Sequence, residues 1–379
     1  GYLMPNIRKG LMGAAGAGSN VILYGSGTAA YNGTGIANSS PVMVASSPDG
    51  FLNANSCKDS MFLIHSDNTL WTWGTGTNGK MGLGNTTNYT SPVQVGALTD
   101  WASMASHLYQ TMHAIKTDGT LWGWGKNNYG SLGDGTKIVR SSPVQIGALT
   151  DWANCAGSNS NSVAVKTNGT LWTWGREVYG ANGDYPTTTV PRSSPVQIGA
   201  LTTWVKGFSN HTLSNGAIQS NGTLWTWGWG YGGSSGTGVN QPKNGVPTQV
   251  GARTDWVDIA TSSQSVMGVT SAGKLYGWGR ASAGALGLGN TTDYSSPVQV
   301  GSLTDWASIS GFAMRSAFQA VKTDGTLWRW GSGNGGTLGL GNTTSYSSPV
   351  QVGSSTNWLT PAEGGVGSSS GYAGFGITG

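Results

Sequence analysis

The chain has few side chains that could act as nucleophiles, general bases or metal ligands. Its histidines and cysteines stand at six scattered positions: His65, His107, His113, His211, Cys57 and Cys155. None of them shows the short His/Cys spacing of a zinc site, so the sequence predicts no metal and no cofactor. The two cysteines fall at unrelated places in the chain, and a disulfide requires Cα atoms within about 7 Å. Both are therefore predicted to be free, buried thiols.

Glycine-rich stretches match two catalytic sequence patterns, but only in residue type and spacing. Residues 74–79 fit a dinucleotide-binding fingerprint, and residues 232–236 and 367–371 fit a nucleophile elbow. Both patterns work only where a strand turns into a helix, and no such turn is predicted here. With 64 glycines in 379 residues, chance matches are expected. The sequence thus predicts a protein that is not an enzyme.

One loop has side chains suited to binding. Trp229 and Tyr231 lie in a glycine-rich stretch, and Lys243 follows closely. Exposed aromatic rings of this kind stack on sugar rings or anchor a protein partner. We predict Trp229, Tyr231 and Lys243 as partner-binding residues. The alternative is a degenerate repeat in which Trp229 packs on its neighbour.

The elements that position these residues follow from an internal repeat. The pattern Leu-Trp-x-Trp-Gly, or a close variant, occurs six times, with its second tryptophan at Trp73, Trp124, Trp174, Trp227, Trp278 and Trp330. The steps are 51, 50, 53, 51 and 52 residues. A period of about 50 residues in a chain of short strands indicates β-propeller blades.

Two further markers recur seven times and suggest one more blade. A proline in a predicted outer strand stands at Pro41, Pro92, Pro143, Pro195, Pro247, Pro297 and Pro349, and an aromatic residue starts each inner strand at Phe51, Trp101, Trp152, Trp204, Trp256, Trp306 and Trp358. Asp-Gly and Asn-Gly pairs between the hairpin strands favour type I′ turns. Because only six hairpins are whole, the seventh is predicted to be split between residues 21–24 and 372–377. Pairing of the N- and C-terminal strands would then close the ring.

These residues carry a family resemblance. The Leu-Trp-x-Trp-Gly element, the loop Gly336-Thr337-Leu338-Gly339-Leu340-Gly341 and the Ser-Pro-Val-Gln strand resemble repeats of the regulator of chromosome condensation (RCC1) family. The resemblance implies an all-β, seven-bladed propeller of about 51-residue repeats. It covers residues 20–379, which we predict to form a single closed propeller, and residues 1–19 are predicted to form an N-terminal arm. His65 occupies the place of Lys116, Lys166 and Lys322, which predicts a solvated hairpin residue.

Composition bears on location and partners. Charged residues make up 9% of the chain, the net charge is +4, and the basic residues are scattered singly. No basic stripe is present, so a nucleic-acid partner is not expected, and no apolar stretch reaches the roughly 18 residues of a membrane span. A neutral surface rich in Ser, Thr and Asn is typical of extracellular and virion proteins. We therefore predict a virion or extracellular location.

The first 19 residues match no repeat marker. Leu3, Ile7 and Leu11 are apolar and spaced along this arm, so we predict that they bind a groove on a partner; the alternative is that the arm packs on its own propeller. Residues 5–16 also resemble the start of bacteriophage structural proteins that carry such repeats.

The predicted function is a non-enzymatic structural or adhesion protein that displays a rigid propeller on a virion or cell surface. Capsid decoration or a tail fibre would be its setting, and its partners would be virion or surface proteins, or a host glycan. The alternative is an intracellular RCC1-like interaction propeller, which includes guanine nucleotide exchange factors for small GTPases.

Overall fold

A computed structural model describes residues 21–27, 38–47, 50–57, 60–106, 110–158, 160–184, 190–210, 214–240, 243–312, 316–361 and 373–378. Nearly all regular structure in these ranges is β-strand, with four short 3-10 turns at Thr77–Gly79, Tyr231–Gly233, Ser282–Gly284 and Asn334–Gly336. No helix among the described residues combines the length and the apolar character needed to cross a membrane.

Six four-stranded antiparallel blades follow one another along the chain. Blade 1 contains β3 (Phe51–Cys57), β4 (Ser60–His65), β5 (Leu70–Gly74) and β6 (Tyr89–Gln94); blade 2 contains β7 (Trp101–Ser106), β8 (Thr111–Lys116), β9 (Leu121–Gly125) and β10 (Arg140–Gln145). Blade 3 contains β11 (Trp152–Gly157), β12 (Asn161–Lys166), β13 (Leu171–Gly175) and β14 (Arg192–Gln197); blade 4 contains β15 (Trp204–Ser209), β16 (Ser214–Gln219), β17 (Leu224–Gly228) and β18 (Asn244–Gln249). Blade 5 contains β19 (Trp256–Ser262), β20 (Ser265–Thr270), β21 (Leu275–Gly279) and β22 (Tyr294–Gln299); blade 6 contains β23 (Trp306–Phe312), β24 (Ala317–Lys322), β25 (Leu327–Gly331) and β26 (Tyr346–Gln351).

The strands at the two ends of the chain form a composite sheet instead of a further repeat. Its strands are β1 (Val21–Gly27), β2 (Asn38–Ser47), β27 (Trp358–Pro361) and β28 (Ala373–Thr378), in the order β2-β1-β28-β27. The prediction of seven repeat-built blades is therefore wrong: the described residues form six such blades. The ends carry no intact Leu-Trp-x-Trp-Gly hairpin, so this sheet is held by pairing of β1 with β28, from Ile22 opposite Thr378 to Gly27 opposite Ala373.

The first strand of each blade lies nearest the axis, because these strands contact one another from blade to blade. Connections between first and second strands share a face with those between third and fourth strands. The hairpins between second and third strands lie on the opposite face. This arrangement decides which side chains can act together.

Tryptophan joins neighbouring blades in a repeated way. The indole Nε1 of Trp124 donates to the carbonyl of Lys80 in the preceding blade at 2.8 Å, and that of Trp174 donates to Ser131 at 2.8 Å. Trp124 and Trp174 are fully buried. Gly82, with φ of +73°, lies so close that a Cβ there would stand 3.0 Å from the Trp124 Nε1. The glycine at this place in the loop is therefore required by the packing of the next blade.

The hairpin turns differ from the predicted type I′. In blade 2 only Gly119 of the turn has a positive φ, at 80°. The Gly119 amide donates to the Lys116 carbonyl, and the Lys116 amide donates to that of Thr120. This is a type I turn with a glycine bulge. The Asp118 carboxylate accepts from the amide and the hydroxyl of Thr120, whose oxygen accepts the Trp122 indole N–H at 2.9 Å.

The lysines that align with His65 are not solvated. Lys116 is 7% exposed, and its Nζ lies 4.2 Å from the Trp122 ring centre, 5.1 Å from that of Trp101 and 3.2 Å from Asp100. His65 is half-buried, and burial lowers its pKa. The position predicted to be solvated therefore holds a cation between two aromatic rings, and in blade 1 His65 replaces that cation. The same packing surrounds Lys166 and Lys322.

Candidate interaction surface

The connections between the third and fourth strands differ among the blades. In blades 1, 5 and 6 they contain Asn-Thr-Thr, and the asparagine oxygen caps the loop, as where Asn85 Oδ1 accepts the Thr87 amide at 2.9 Å. In blades 2, 3 and 4 this sequence is absent. We call the described residues of these three connections, which are 126–139, 176–184, 190–191, 229–240 and 243, the loop surface.

Exposed apolar side chains concentrate on the loop surface. Ile138 is 59% exposed, Val190 62% and Tyr231 50%. The other large apolar side chains that it exposes are Tyr129, Val139, Tyr179 and Val239. Among the described residues, the corresponding connections of blades 1, 5 and 6 expose no large apolar side chain to this degree. The face is therefore asymmetric, with an apolar side on blades 2 to 4.

Three aromatic rings meet at the centre of the loop surface. The ring of Tyr179 in blade 3 lies edge-on to Trp229 in blade 4, with 4.0 Å between centroids, and Tyr231 lies 5.9 Å from Trp229. Trp229 is half-buried, whereas both tyrosines are exposed. Tyr179 has φ of +61°, a left-handed conformation that is unfavourable for a bulky residue. The same repeat position is left-handed at Asn78 in blade 1 and at Ala283 in blade 5, so the conformation belongs to the repeat and only the tyrosine ring is particular to this surface.

Charged groups flank these rings. The Arg176 guanidinium lies 4.8 Å from the ring centre of Tyr129. On the other side, Arg280 of blade 5 is exposed, and its Nη1 donates to the neutral Gln264 Oε1 at 3.0 Å. A Cβ built at Gly232, next to Tyr231, would lie 3.6 Å from the Arg280 Cβ. The aromatic residues and the two arginines thus form one continuous band across blades 2 to 5.

The carboxylates of this region are engaged within the protein. Asp134 Oδ2 accepts from Arg140 Nε at 2.9 Å, and Asp184 pairs with Arg192. Burial raises the pKa of Asp134, but hydrogen bonds from Thr136 and Arg140 outweigh burial and hold that pKa below its usual value. Burial raises the pKa of Glu177, whose carboxylate accepts the Asn182 amide at 2.8 Å. The surface accordingly offers cations more than anions to a partner.

The predicted site residues divide into three groups. Trp229 and Tyr231 lie together in the aromatic cluster, where the Trp229 ring also packs on Tyr179 of the neighbouring blade. Partner binding by Trp229 and Tyr231 stays a prediction. Lys243 is exposed at the far end of the same loop. Leu3, Ile7 and Leu11 fall outside the described residues.

Sequence reasoning missed Tyr129, Arg176 and Tyr179. Tyr129 and Tyr179 share one repeat position, where blade 1 has Asn78. Arg176 holds the repeat position that Trp229 holds in blade 4 and Arg280 in blade 5. The absence of Asn-Thr-Thr from three consecutive repeats was the sequence feature that could have indicated this surface.

The other candidate residues form no site among the described residues, where no group of three or more His, Cys, Asp or Glu could hold a metal ion. His113 is fully buried, and its Nε2 donates to the Leu132 carbonyl at 3.0 Å. Burial lowers its pKa to about 4. Cys155 is a free thiol whose pKa is raised by burial. Residues 74–79 join two strands of blade 1, as expected for a chance motif.

Comparison with known proteins identifies the repeats. The model of the regulator of chromosome condensation (RCC1) repeat matches residues 67–112, 118–165, 272–311 and 324–369. The Arabidopsis thaliana ultraviolet-B receptor UVR8 is 27% identical over 81% of this chain and 63% of its own length, so the chain spans less than two thirds of that relative. The mitochondrial RCC1 domain-containing protein RUG3 of the same plant is 27% identical over 79% of this chain and 69% of its length.

Solved structures share the fold at low identity. Yeast RCC1 (Prp20) bound to Kap60 superposes with a TM-score of 0.80 and 15% identity, covering 98% of this chain and 91% of Prp20. Human WBSCR16 gives a TM-score of 0.78 with 16% identity, covering 95% of this chain and 98% of that protein. At such identity the likeness establishes the fold alone.

These relatives contradict the prediction of a virion or extracellular protein with virion partners. They include an ultraviolet-B receptor and a mitochondrial protein, and none of the four proteins named here is a bacteriophage protein. The high Asn and Thr content supported the wrong location because these residues cap loops of the fold, as where Asn290 Oδ1 accepts the Thr292 amide. Four stretches of the chain match the RCC1 repeat, and the described residues fold as a β-propeller.

Proposed function

We propose that the chain is a non-enzymatic, intracellular interaction propeller that binds a protein partner through the loop surface. The observation that carries this proposal is that, among the described third-to-fourth-strand connections, only those of blades 2, 3 and 4 expose large apolar side chains. Contiguous exposed apolar residues with aromatic anchors are typical of protein-binding sites. A surface used only as a scaffold would have the Asn-Thr-Thr loop in every blade.

The relatives support a binding role for the fold. Yeast Prp20 binds Gsp1p and histones, and its structure has been solved in complex with Kap60. These partners belong to Prp20, and they show that a propeller of this shape presents surfaces to other proteins. The residues of the present loop surface would select a partner of its own.

The test compares two triple variants in partner capture from the native cell extract. Ile138→Ser, Val190→Ser and Tyr231→Ser together remove exposed apolar groups from the loop surface. The control combines Leu149→Ser, Leu201→Ser and Leu303→Ser, which are 45%, 52% and 45% exposed on the opposite face. Quantitative mass spectrometry should show partners whose recovery falls at least about tenfold, or about 1.4 kcal/mol, with the first variant only. Equal recovery with both variants, or loss with both, contradicts the proposal.

The domain boundary and the N-terminal arm stay predictions. We propose that residues 20–379 form one propeller domain and that residues 1–19 are separable from it. Removal of residues 1–19 should leave the melting temperature within a degree or two of that of the full chain, since surface changes away from the core have small effects. A large drop would show that Leu3, Ile7 and Leu11 pack on the propeller.

A further inference from the structure

Uncompensated positive charge borders the aromatic cluster on both sides. Among the described residues, Arg176, Arg280 and Lys137 have no carboxylate within salt-bridge distance, and Lys137 is exposed. Arg176 lies over Tyr129, and Arg280 is hydrogen-bonded to a neutral amide. These guanidinium groups have N–H donors available for an incoming carboxylate, which arginine binds with a bidentate geometry.

The carboxylates nearby do not offset this charge. Asp134 and Asp184 are paired with Arg140 and Arg192, and the carboxylates of Glu177 and Asp293 each accept a backbone amide. A basic segment would therefore meet like charge from Arg176 and Arg280 and would find its possible partners already occupied. Charge complementarity of this kind selects an acidic partner.

The rings between the arginines supply an anchor site. Tyr179, Trp229 and Tyr231 form a partly exposed aromatic group, with the two tyrosine rings 4.0 and 5.9 Å from the indole. Val190 and Val239 are exposed in the same connections. An apolar or aromatic side chain would bury surface here, and such anchors carry most of the energy of a protein interface.

Resting on the proposed function, we propose that the loop surface binds an acidic peptide segment that carries an apolar or aromatic anchor. The anchor contacts Tyr179, Trp229 and Tyr231, while acidic residues on either side reach Arg176 and Arg280. The partner is thus a protein with an exposed acidic segment. A neutral glycan would also stack on aromatic rings, but it has no negative charge to pair with the arginines.

The experiment selects binders from a yeast-displayed random-peptide library on the full chain. Peptides are counter-selected on the variant Ile138→Ser, Val190→Ser and Tyr231→Ser. Enriched sequences should combine Asp or Glu with an aromatic or large aliphatic residue. The most enriched peptide, synthesised with a fluorophore, should lose at least about tenfold in affinity with Arg280→Glu and as the salt concentration rises from about 0.05 to about 0.3 M.

The control is Lys274→Glu, which makes the same charge change on the hairpin of blade 5 at the opposite face; it should leave affinity unchanged. Surface-dependent peptides that are neutral or basic would overturn the acidic-segment proposal and leave the interaction function standing. Displacement of the peptide by an equal concentration of cellotetraose would indicate a glycan site and overturn it as well. Failure to enrich any peptide that depends on the loop surface would contradict both proposals.

Discussion

At the scale of single residues, the burial of His113 makes the stability of the protein depend on pH. It lies opposite Gly123 in blade 2, is fully buried, and contacts the edge of Trp174 with 5.6 Å between centroids. Its Nε2 donates to the Leu132 carbonyl, so the neutral ring with hydrogen on Nε2 fits the site. In blade 5 the same place is held by Met267 opposite Gly277.

His113→Met should make the protein less sensitive to acid. The folded-state pKa is about 4, below the ordinary 6.5, so between these values the unfolded chain binds the proton and the folded chain does not. Stability is therefore lost as the pH falls through this window, by about 2 kcal/mol at pH 5. Chemical denaturation at pH 7 and pH 5 should show a smaller loss for the variant. An identical loss in wild type and variant would refute this role for His113.

Tyr179 has an unfavourable backbone conformation, and its ring lies at the centre of the proposed binding surface. Tyr179→Gly should change the free energy of unfolding by no more than about 1 kcal/mol, because relief of the left-handed conformation offsets the lost contact with Trp229. Partner or peptide binding should fall strongly. Ala283→Gly is the matched control, since Ala283 holds the same position in blade 5 with φ of 55°. Reduced binding by both variants would attribute the effect to the loop backbone and not to the tyrosine ring.

Much of the fold was predictable at this scale, and the site only in part. Trp124 and its equivalents marked the blades because one residue type meets one packing need in each repeat. The environment of Lys116 was not predictable from its neighbours in sequence, since Trp101 and Trp122 come from different strands and only the folded sheet brings them together. Tyr179 was missed for the same reason: its contact with Trp229 joins residues of adjacent blades.

At the scale of elements, the blades place different side chains at one repeated position. In blades 2, 3 and 6 a lysine there lies between two tryptophan rings, an arrangement that we call the aromatic sandwich. Blade 3 places Lys166 between Trp152 and Trp172, with Asp151 at 3.2 Å from its Nζ. Blade 5 has Thr270 at the lysine position, and the guanidinium of Arg253 lies over Tyr276 at 4.6 Å instead. Blade 4 carries the neutral Gln219 opposite Trp204.

Conversion of blade 4 to the pattern of blade 3 should stabilise the protein. Gln219→Lys together with Thr203→Asp would introduce the cation–π contacts and the ion pair, for a gain of about 1 kcal/mol. Denaturant titration measures this gain. The reverse pair, Lys166→Gln with Asp151→Thr, should lower stability by a similar amount. If both pairs of substitutions shift the free energy of unfolding in the same direction, the aromatic sandwich does not explain why lysine occupies this position in blade 3.

At the scale of the whole molecule, the six repeat-built blades are joined to a composite sheet that the two chain ends share. β28 lies between β1 and β27 and is antiparallel to both. β27 contacts blade 6 through β23 and β24. The ends therefore hold each other through backbone hydrogen bonds that neither makes alone.

Deletion of residues 368–379, which include β28, should destabilise the protein far more than an ordinary surface change. It leaves β1 and β27 with unpaired edges, and exposed strand edges promote association between chains. We expect a loss above about 3 kcal/mol, since a whole strand and its pairing are removed, together with concentration-dependent oligomers in light scattering. Replacement of residues 354–357, an exposed connection before β27, by Gly-Ser sequence is the control and should have little effect. A deleted protein that stays monomeric and melts with the full chain would show that the propeller does not depend on the pairing of its ends.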